Sequence, residues 1–410
     1  MNRSYFSPAA YLSLLLAVLL GSACRSATAD EAALSGLVFS DGAHLEQQRA
    51  KFTAGDAAVV SLVEQLEAEA DQLLNAAPYS VVHKAQTPPS GDKHDYMSQG
   101  PYWWPDTTKS NGLPYIRRDG EVNPERATLT DHREMGELMN ASETLSHAYY
   151  YTGQEKYAQK AAELLEIWFL ADSTRMNPHL EFGQAIPGRT EGRGIGIIET
   201  RYLGKITDAV ALIRASDAWN PELESGMQEW MGDYLNWLLT SEKGKNESVH
   251  PNNHGTWYDV QAATLALFTG QDSLARSMLE NAKESRMDED LEANGAQPKE
   301  LARTLSFNYS TMNLFGMFTL ARIGEMVGVD LWHYDTPNGA NLKKALDYLL
   351  PAALGQSEWP HKQIKPIKPE ELIPHLGIAS KVYDPAYAAT AQQLLKQYPE
   401  KAGSALHWPM

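Results

Sequence analysis

Apolar residues recur at helical spacing through most of this chain, and that pattern constrains the fold more than any other feature. In the segment 57–76, valines and leucines return every three or four positions and would lie on one face of a helix. Convincing strand alternation is not found, so the predicted fold class is all-α. The same spacing predicts further helices over 133–152, 154–169, 195–215, 221–240, 256–269, 271–283, 298–327, 340–350 and 387–398.

Two short joints indicate how neighbouring helices are connected. Gly153 and Gly270 each follow a threonine at the end of a helical pattern and precede a glutamine that opens the next one. Glycine in this position caps a helix C-terminus, and a short turn then makes the two helices antiparallel. Helix pairs that repeat without a strict sequence period predict an incomplete α/α toroid, with a helical-repeat solenoid as the alternative. No linker divides the segment 30–410, which is predicted to be one domain.

The N-terminus has the pattern of an export signal. Arg3 precedes an apolar stretch, 9–20, that is too short to span a bilayer. Cleavage after Ala29 would remove residues 1–29, whereas a lipoprotein signal would end before Cys24 and leave a lipid anchor there. Because Cys24 is the only cysteine, no disulfide can form within the chain. We expect a periplasmic or secreted protein, or an outer-membrane lipoprotein, without a membrane span.

The chain is acidic, with a formal net charge of −17. This balance argues against nucleic acid as a partner, because proteins that bind nucleic acid present a basic face. A polyanionic substrate would be repelled at long range and could bind only where cations are concentrated in a cleft. The sequence leaves the oligomeric state open between monomer and homodimer.

One long segment, 84–128, does not have a helical pattern. It is dense in proline, glycine and aromatic residues, with Tyr96 followed by Tyr102, Trp103 and Trp104. Loops of this length inside a compact domain are usually functional or disordered, and three adjacent large aromatics argue against disorder. These rings would either stack on sugar faces or pack the loop onto the helices.

A polar cluster precedes the helix predicted at 256–269. The residues are His250, Pro251, Asn252, Asn253 and His254, and the N-terminus of a helix favours an anion such as a carboxylate. The alternative is an ordinary helix cap formed by one of the asparagines. A metal site on the two histidines is disfavoured, since the proline and asparagines interrupt a helical ligand face and no acid lies within the motif. No metal or cofactor is therefore predicted.

Two further segments could contribute chemistry. Arg303 and Tyr309 lie in the helical pattern 298–327 and would border one cleft if a helix end or bend intervenes; a buried structural tyrosine is the alternative. The glycine-rich segment 183–194 contains two arginines that a loop could present beside closely approaching backbone, or that could simply be solvated. It lacks the Lys-Ser/Thr of a phosphate-binding loop.

The order of these motifs resembles that in alginate lyase-like polysaccharide lyases, of the chondroitin AC/alginate lyase superfamily. The resemblance covers roughly Tyr96 to Trp359 and is closest to the thirty-eighth polysaccharide lyase family, and more remote to the fifth. The motifs are, in chain order, Tyr149-Tyr150-Tyr151-Thr152-Gly153, Trp168-Phe169, Ile198-Glu199, Asn253-His254 and Arg303 to Tyr309.

The resemblance implies an incomplete α/α toroid with a substrate groove and four catalytic residues. Asn253 would neutralise the carboxyl group of the reacting uronate, His254 would be a base or helper, and Tyr309 would protonate the leaving oxygen. Arg303 is similar to the family's arginine near that tyrosine. The candidate substrate-binding residues are Gln184, Arg189, Arg193, Glu199, Tyr96, Tyr102, Trp103, Trp104 and Asn252.

The chemistry implied is β-elimination of alginate or glucuronan without a metal. The C5 proton of a uronate leaves only if donors stabilise the charge that spreads onto its carboxylate, and a base and an acid must lie within hydrogen-bond reach. In mannuronate and glucuronate the C5 hydrogen and C4 oxygen share a face, so Tyr309 could serve both roles; in guluronate His254 would be the base. A tyrosine base needs a lowered pKa, which Arg303 or His254 could supply.

Two other functions are compatible with parts of the sequence. A glycoside hydrolase of the same fold needs two matched carboxylates, and Glu191, Glu199 and Asp259 are available without forming an obvious pair. A non-catalytic, lipid-anchored glycan-binding protein would be compatible with Cys24 and the aromatic segment. Such a binding protein would have no need for Asn253, His254 and Tyr309 together.

Overall fold

The computed structural model describes residues 34–410, so both predicted ends of the signal segment, and Cys24, lie outside the described residues. Within that part of the chain, no helix is long and apolar enough to cross a membrane. The α-helices are α1 Gly42–Thr53, α2 Ala57–Leu73, α3 Asp131–Thr152, α4 Glu155–Phe169, α5 Gly204–Ile213, α6 Pro221–Thr240, α7 Glu242–Ser248, α8 Asn253–Phe268, α9 Asp272–Ala282, α10 Pro298–Leu301, α11 Ser306–Val327, α12 Leu342–Ala353, α13 Ile373–Val382, α14 Ala386–Gln397 and α15 Ser404–His407.

Helix pairs build the all-α architecture, an incomplete α/α toroid. Helix α3 packs against α4 and α5, and α8 packs against α9 and α11. The two predicted caps are present, because Gly153 has φ 67° and Gly270 has φ 72°, left-handed conformations that favour glycine. Each cap turns the chain directly into the next helix, as the sequence indicated.

The buried core explains why the central helices carry weak amphipathic patterns. One apolar cluster includes residues from Val38 to Trp408, with Trp168 and Trp257 fully buried. Helices α8 and α11 are buried around most of their circumference, so polar and apolar residues do not separate onto two faces. Their N-terminal turns, where His254 and Tyr309 lie, reach one shared cleft.

Several predicted helices differ from the structure. The segment 195–215 is a 3₁₀ stretch, Gly194–Thr200, followed by α5, and the segment 298–327 is broken between α10 and α11. The break exists because Thr304 hydrogen-bonds to Asp119 and Leu305 bridges to Gln363, which are contacts from distant segments. Helices α1, α7, α13 and α15 were not predicted.

The non-helical segment 84–128 is ordered by short strands that the sequence pattern did not show. Strand β1, Met97–Gln99, pairs in parallel with β4, Phe182–Ala185, and β2, Trp103–Trp104, pairs antiparallel with β3, Ile116–Arg117. The segment therefore forms one wall of the cleft, next to the glycine-rich loop that continues from β4.

Candidate active site

A single cleft of about 1120 Å³ gathers most of the predicted site residues. It is lined by the aromatic segment, the glycine-rich loop, the N-terminus of α8, the first turns of α11 and the C-terminal segment. Among the described residues, nine lysines and arginines line it against four glutamates. A strongly acidic protein thus presents a locally basic cleft, as binding of a polyanion requires.

Tyr309 lies in the first turn of α11 between two partners. Its hydroxyl shares a 2.6 Å hydrogen bond with the hydroxyl of Tyr102, and the guanidinium of Arg303 lies 3.8 Å from its ring centroid. Burial raises the pKa of Tyr309, and the opposing effect of Arg303 is smaller. The lowered pKa that a tyrosine base would need is therefore not found in the free protein, in which Tyr309 is protonated.

Arg303 is held in the break between α10 and α11. Its Nη2 donates to Asp119 at 2.8 Å, and the hydroxyl of Thr304 donates to the same carboxylate at 2.9 Å. Burial alone would raise the pKa of Asp119, but Arg303 and Thr304 lower it to about 2. Asp119 is therefore ionised, and it fixes the guanidinium over the ring of Tyr309.

His254 lies in the first turn of α8, and its ring orientation is set by a carboxylate. Its Nδ1 hydrogen-bonds to Glu247 at 2.7 Å, and the Glu247 side chain is fully buried. A carboxylate partner favours the proton on Nδ1, which leaves Nε2 as a lone-pair acceptor. His254 lines the cleft, so Nε2 is suited to accept a proton there.

The two asparagines before His254 have different roles. Asn252 caps α8 by accepting a hydrogen bond from the backbone N–H of His254, so the cap interpretation holds for it, although it also lines the cleft. Asn253 donates its backbone N–H and its amide Nδ2 to the buried carboxylate of Glu300. Its Oδ1 is buried without a partner among the described residues. Burial raises the pKa of Glu300, which favours a neutral carboxyl group.

The glycine-rich loop supplies one arginine to the cleft. Arg193 donates to the backbone oxygen and the side-chain Oε1 of Gln184, whose φ of 49° is an unusual left-handed conformation for a non-glycine residue. A Cβ on Gly100 would lie 2.8 Å from Nη2 of Arg193, so glycine is needed for this approach. Burial lowers the pKa of Arg193 to about 10, and the guanidinium stays charged at neutral pH.

Glu199 organises the base of the cleft. It accepts hydrogen bonds from Tyr96, Ser98 and Arg126 and is almost fully buried. Tyr96 is also fully buried, so its predicted role as a sugar-stacking platform is wrong. Both residues support the wall that carries Tyr102.

The other predicted binding residues divide between the cleft and the surface beside it. Tyr102 and Trp103 line the cleft, whereas Trp104 does not, because its indole donates to the backbone of Glu121 and its ring contacts Arg118. Arg189 is exposed outside the cleft lining and stacks on Trp103 at 5.1 Å.

The carboxylates considered for a hydrolase are not paired across the cleft. Glu191 is exposed outside the cleft lining, and Asp259 forms an ion pair with Arg286 at 2.7 Å, also outside it. Over residues 34–410, no group of three or more His, Cys, Asp or Glu side chains is arranged to hold a metal ion.

Sequence reasoning missed the acidic residues that position the catalytic side chains. Glu247, Glu300 and Asp119 contact His254, Asn253 and Arg303, respectively. Nothing in the local sequence distinguishes these acids from solvated ones, because their importance comes from burial and from partners distant in the chain. One general signal was available: a polar catalytic side chain that is buried needs a hydrogen-bond partner.

A family model described as alginate lyase matches residues 80–359, more than half of the chain. The chain belongs to the alginate lyase family. A solved alginate lyase from Bacteroides ovatus shares 40% sequence identity with this family member, with a TM-score of 0.83 over 87% of this chain and 95% of that one. No curated protein sequence matches the chain.

More distant alginate lyases share the fold. Alginate lyase A1-III from Sphingomonas species A1 is 18% identical, with a TM-score of 0.53 over 86% of this chain and 90% of that one. A variant of A1-III complexed with a tetrasaccharide has 18% identity and a TM-score of 0.54, over 85% and 87% of the two chains. This member of the alginate lyase family is accordingly a polysaccharide lyase with an anionic polysaccharide substrate, and its closer assignment to the thirty-eighth lyase family stays a prediction.

Proposed function

We propose that this lyase cleaves alginate by β-elimination without a metal ion, leaving a C4=C5 double bond on one product. The observation that carries the proposal is the placement of Asn253, His254, Arg303 and Tyr309 in one basic cleft, each held by a named partner. This set contains a base, an acid and donors for a carboxylate. Side chains of this chain can therefore supply each role that the elimination requires.

Arg193 and Asn253 would stabilise the carboxylate of the reacting uronate. Arg193 forms no ion pair with another described residue, so its charge is available to the substrate. Asn253 presents Oδ1 while its Nδ2 donates to Glu300. When Glu300 is neutral, the amide can turn, accept a hydrogen bond from the carboxyl O–H of Glu300 through Oδ1 and direct Nδ2 at the substrate. The carboxylate would gain a donor as negative charge develops on it.

The acid and base roles follow from protonation states. Nε2 of His254 removes the C5 proton, and Tyr309 donates its phenolic proton to the C4 oxygen as the glycosidic bond breaks. The electron pair of the C5–H bond forms the C4=C5 double bond, and the leaving sugar takes the proton of Tyr309. Tyr102 and Arg303 stabilise the resulting phenolate by a hydrogen bond and by charge.

This assignment favours uronates whose C5 hydrogen and C4 oxygen lie on opposite faces, as in guluronate. For mannuronate, Tyr309 would have to act as both base and acid. Because its pKa is raised, few molecules of the free protein carry the phenolate that could act as the base. Substrate binding would then need to displace the Tyr102 hydroxyl or draw Arg303 closer. Glucuronan has the same stereochemical demand as mannuronan and is the second candidate substrate.

The test is a digestion of polyguluronate, polymannuronate and glucuronan by wild-type protein and by His254→Ala. We expect ultraviolet-absorbing products from alginate, and a much larger loss on guluronate than on mannuronate blocks in the variant. An equal loss on both blocks would show that His254 is not a base specific to guluronate. New reducing ends without absorbance on every polymer would overturn the lyase proposal.

For location, we propose export to the periplasm or beyond, as the pattern of residues 1–29 indicates. Fractionation of expressing cells with an antibody to the protein tests this. Retention in the cytoplasm would contradict it.

A further inference from the structure

When His254 acts as the base, it is left with a proton that it must lose before the next bond is cut. Glu247 holds the other ring nitrogen of His254 at 2.7 Å, and this buried carboxylate stabilises the imidazolium. The side chain of His254 is only 15% exposed, and it lines the cleft. A bound polymer covers that side of the ring, so the proton needs another route to water.

His250 lies beside His254, and its ring has no hydrogen-bond partner of its own. The centroids of the two imidazole rings are 5.4 Å apart, with 41° between the ring planes. Within residues 34–410, the hydrogen bonds of His250 involve its backbone and leave both ring nitrogens free. Rings this close can pass a proton directly or through one water molecule.

His250 also connects the cleft to the outer surface. It lines the cleft, is partly exposed, and is flanked by Val249, which is 74% exposed, and by the exposed Pro251. Its backbone is fixed, because its N–H donates to the backbone oxygen of Glu247 at 3.1 Å and its own oxygen accepts from Arg286 at 3.2 Å. The ring is therefore held beside His254 with solvent close by.

The charges that face His250 favour a neutral ring. Burial lowers the pKa of His250, and the carboxylate of Glu247 opposes this effect. Positive charge on three neighbours lowers the pKa further, namely on His254, Arg193 and Arg286. A neutral ring can accept a proton, and a ring with a lowered pKa passes that proton on to water readily.

We propose that His250 is a proton-relay residue, which carries the C5 proton from His254 to solvent while the polymer is still bound. This inference rests on the proposed function, in which His254 is the base for guluronate. The Nε2–H of His254 gives its proton to one ring nitrogen of His250, and the other nitrogen of His250 releases a proton to water or to a buffer base. His254 regains its lone pair, and Tyr309 takes back from water the proton that it gave to the leaving sugar.

The relay is needed for guluronate and not for mannuronate. When Tyr309 serves as both base and acid, the phenol takes the C5 proton and returns it to the C4 oxygen. No proton then stays on His254 after the bond is cut. Polymannuronate is therefore an internal control for the relay.

The experiment measures kcat and KM of the wild-type protein and of His250→Gln on polyguluronate over a series of imidazole buffer concentrations, at constant pH and ionic strength. At the lowest concentration, kcat of His250→Gln should fall about tenfold, less than removal of an acid or base itself would cause, with KM nearly unchanged. Added imidazole should restore kcat of the variant, because it accepts the proton in place of the missing ring. The wild-type kcat should not depend on the buffer concentration.

The matched control is His333→Gln, which removes an exposed histidine outside the cleft lining and should behave as the wild type. Thermal unfolding shows whether both variants are folded, and the backbone bonds of His250 do not depend on its side chain. A wild-type kcat in His250→Gln at every buffer concentration, a loss that imidazole does not restore, or an equal loss on polymannuronate would each overturn the relay. Absence of absorbing products from the wild-type protein would instead overturn the proposed function.

Discussion

The two ends of the cleft differ in how their charges are satisfied. At the catalytic end, Arg303 is ion-paired with Asp119, and the ring of His254 is bonded to Glu247. At the other end, where the C-terminal segment lines the cleft, Lys401 has no ionic partner among the described residues. The first arrangement fixes side chains before substrate arrives, which is what stabilisation of a transition state requires. The second leaves charge available, which attracts a polyanion without holding any atom in place.

The largest expected effect comes from removing the acid at the catalytic end, by Tyr309→Phe. Loss of the phenolic proton should lower kcat by about 10³-fold, within the range for general acid catalysis, while binding of alginate oligosaccharides is retained. Steady-state kinetics and calorimetric binding measure the two quantities. Tyr334→Phe, which removes a hydroxyl bonded to Asp288 outside the cleft, is the control. Near-normal turnover of Tyr309→Phe would remove this residue from the mechanism.

A smaller effect is expected from Glu247→Gln, which keeps the shape of the His254 partner and removes its charge. The glutamine no longer stabilises the imidazolium that forms when His254 takes a proton, so kcat on guluronate blocks should fall by about 10²-fold. KM should change little, because the Glu247 side chain is fully buried and does not line the cleft. Glu242→Gln, an exposed change on the same helix α7, should change neither quantity. An equal loss of kcat on guluronate and mannuronate blocks would show that Glu247 has only a structural role.

The pair Glu300→Gln and Glu300→Ala tests how Asn253 is oriented. Glutamine can accept the backbone N–H of Asn253 and donate to its Oδ1, which would hold Nδ2 toward substrate as a neutral Glu300 would. We expect Glu300→Gln to stay within a few-fold of wild-type kcat and Glu300→Ala to lose about tenfold, since the amide of Asn253 would lose its anchor. A larger loss for glutamine than for alanine would show that Glu300 acts as an ionised carboxylate.

The last test concerns stability rather than turnover, at two histidines of the cleft lining, His375 and His407, that are neutral in the folded protein. Burial lowers the pKa of His375 to about 4 and that of His407 to about 3. As pH falls from about 6.5 toward these values, the unfolded chain binds protons that the folded chain does not, so stability present at neutral pH is lost. His375 alone corresponds to at most about 3 kcal/mol. Urea unfolding should show a weaker pH dependence over this window for His375→Gln, and an identical pH dependence would contradict the assignment.

Much of the fold could be predicted because helical periodicity is a local property. The spacing that identified α2 and the glycines that cap α3 and α8 involve residues within a few positions of one another. The break between α10 and α11 could not be predicted in the same way, since Thr304 is bonded to Asp119, 185 residues away along the chain. Interactions at that distance override a local pattern that would otherwise continue as helix.

The site shows the same limit. Asn253, His254, Arg303 and Tyr309 could be identified because their residue types and order are informative, and the structure brings all four to one cleft. Tyr96 looked like its aromatic neighbours in sequence, yet its bond to Glu199 places it beneath the cleft rather than in it. Whether an aromatic residue faces substrate or core depends on its partners, and the sequence pattern does not contain them.

The most direct test of the account is the chemistry of the products. Alginate digested by the wild-type protein should give fragments whose masses sum to that of the substrate, with one ultraviolet-absorbing double bond for each bond cut. Tyr309→Phe should give neither new fragments nor absorbance. Fragments that carry one added water for each bond cut, and no double bond, would contradict elimination and the roles assigned to His254 and Tyr309.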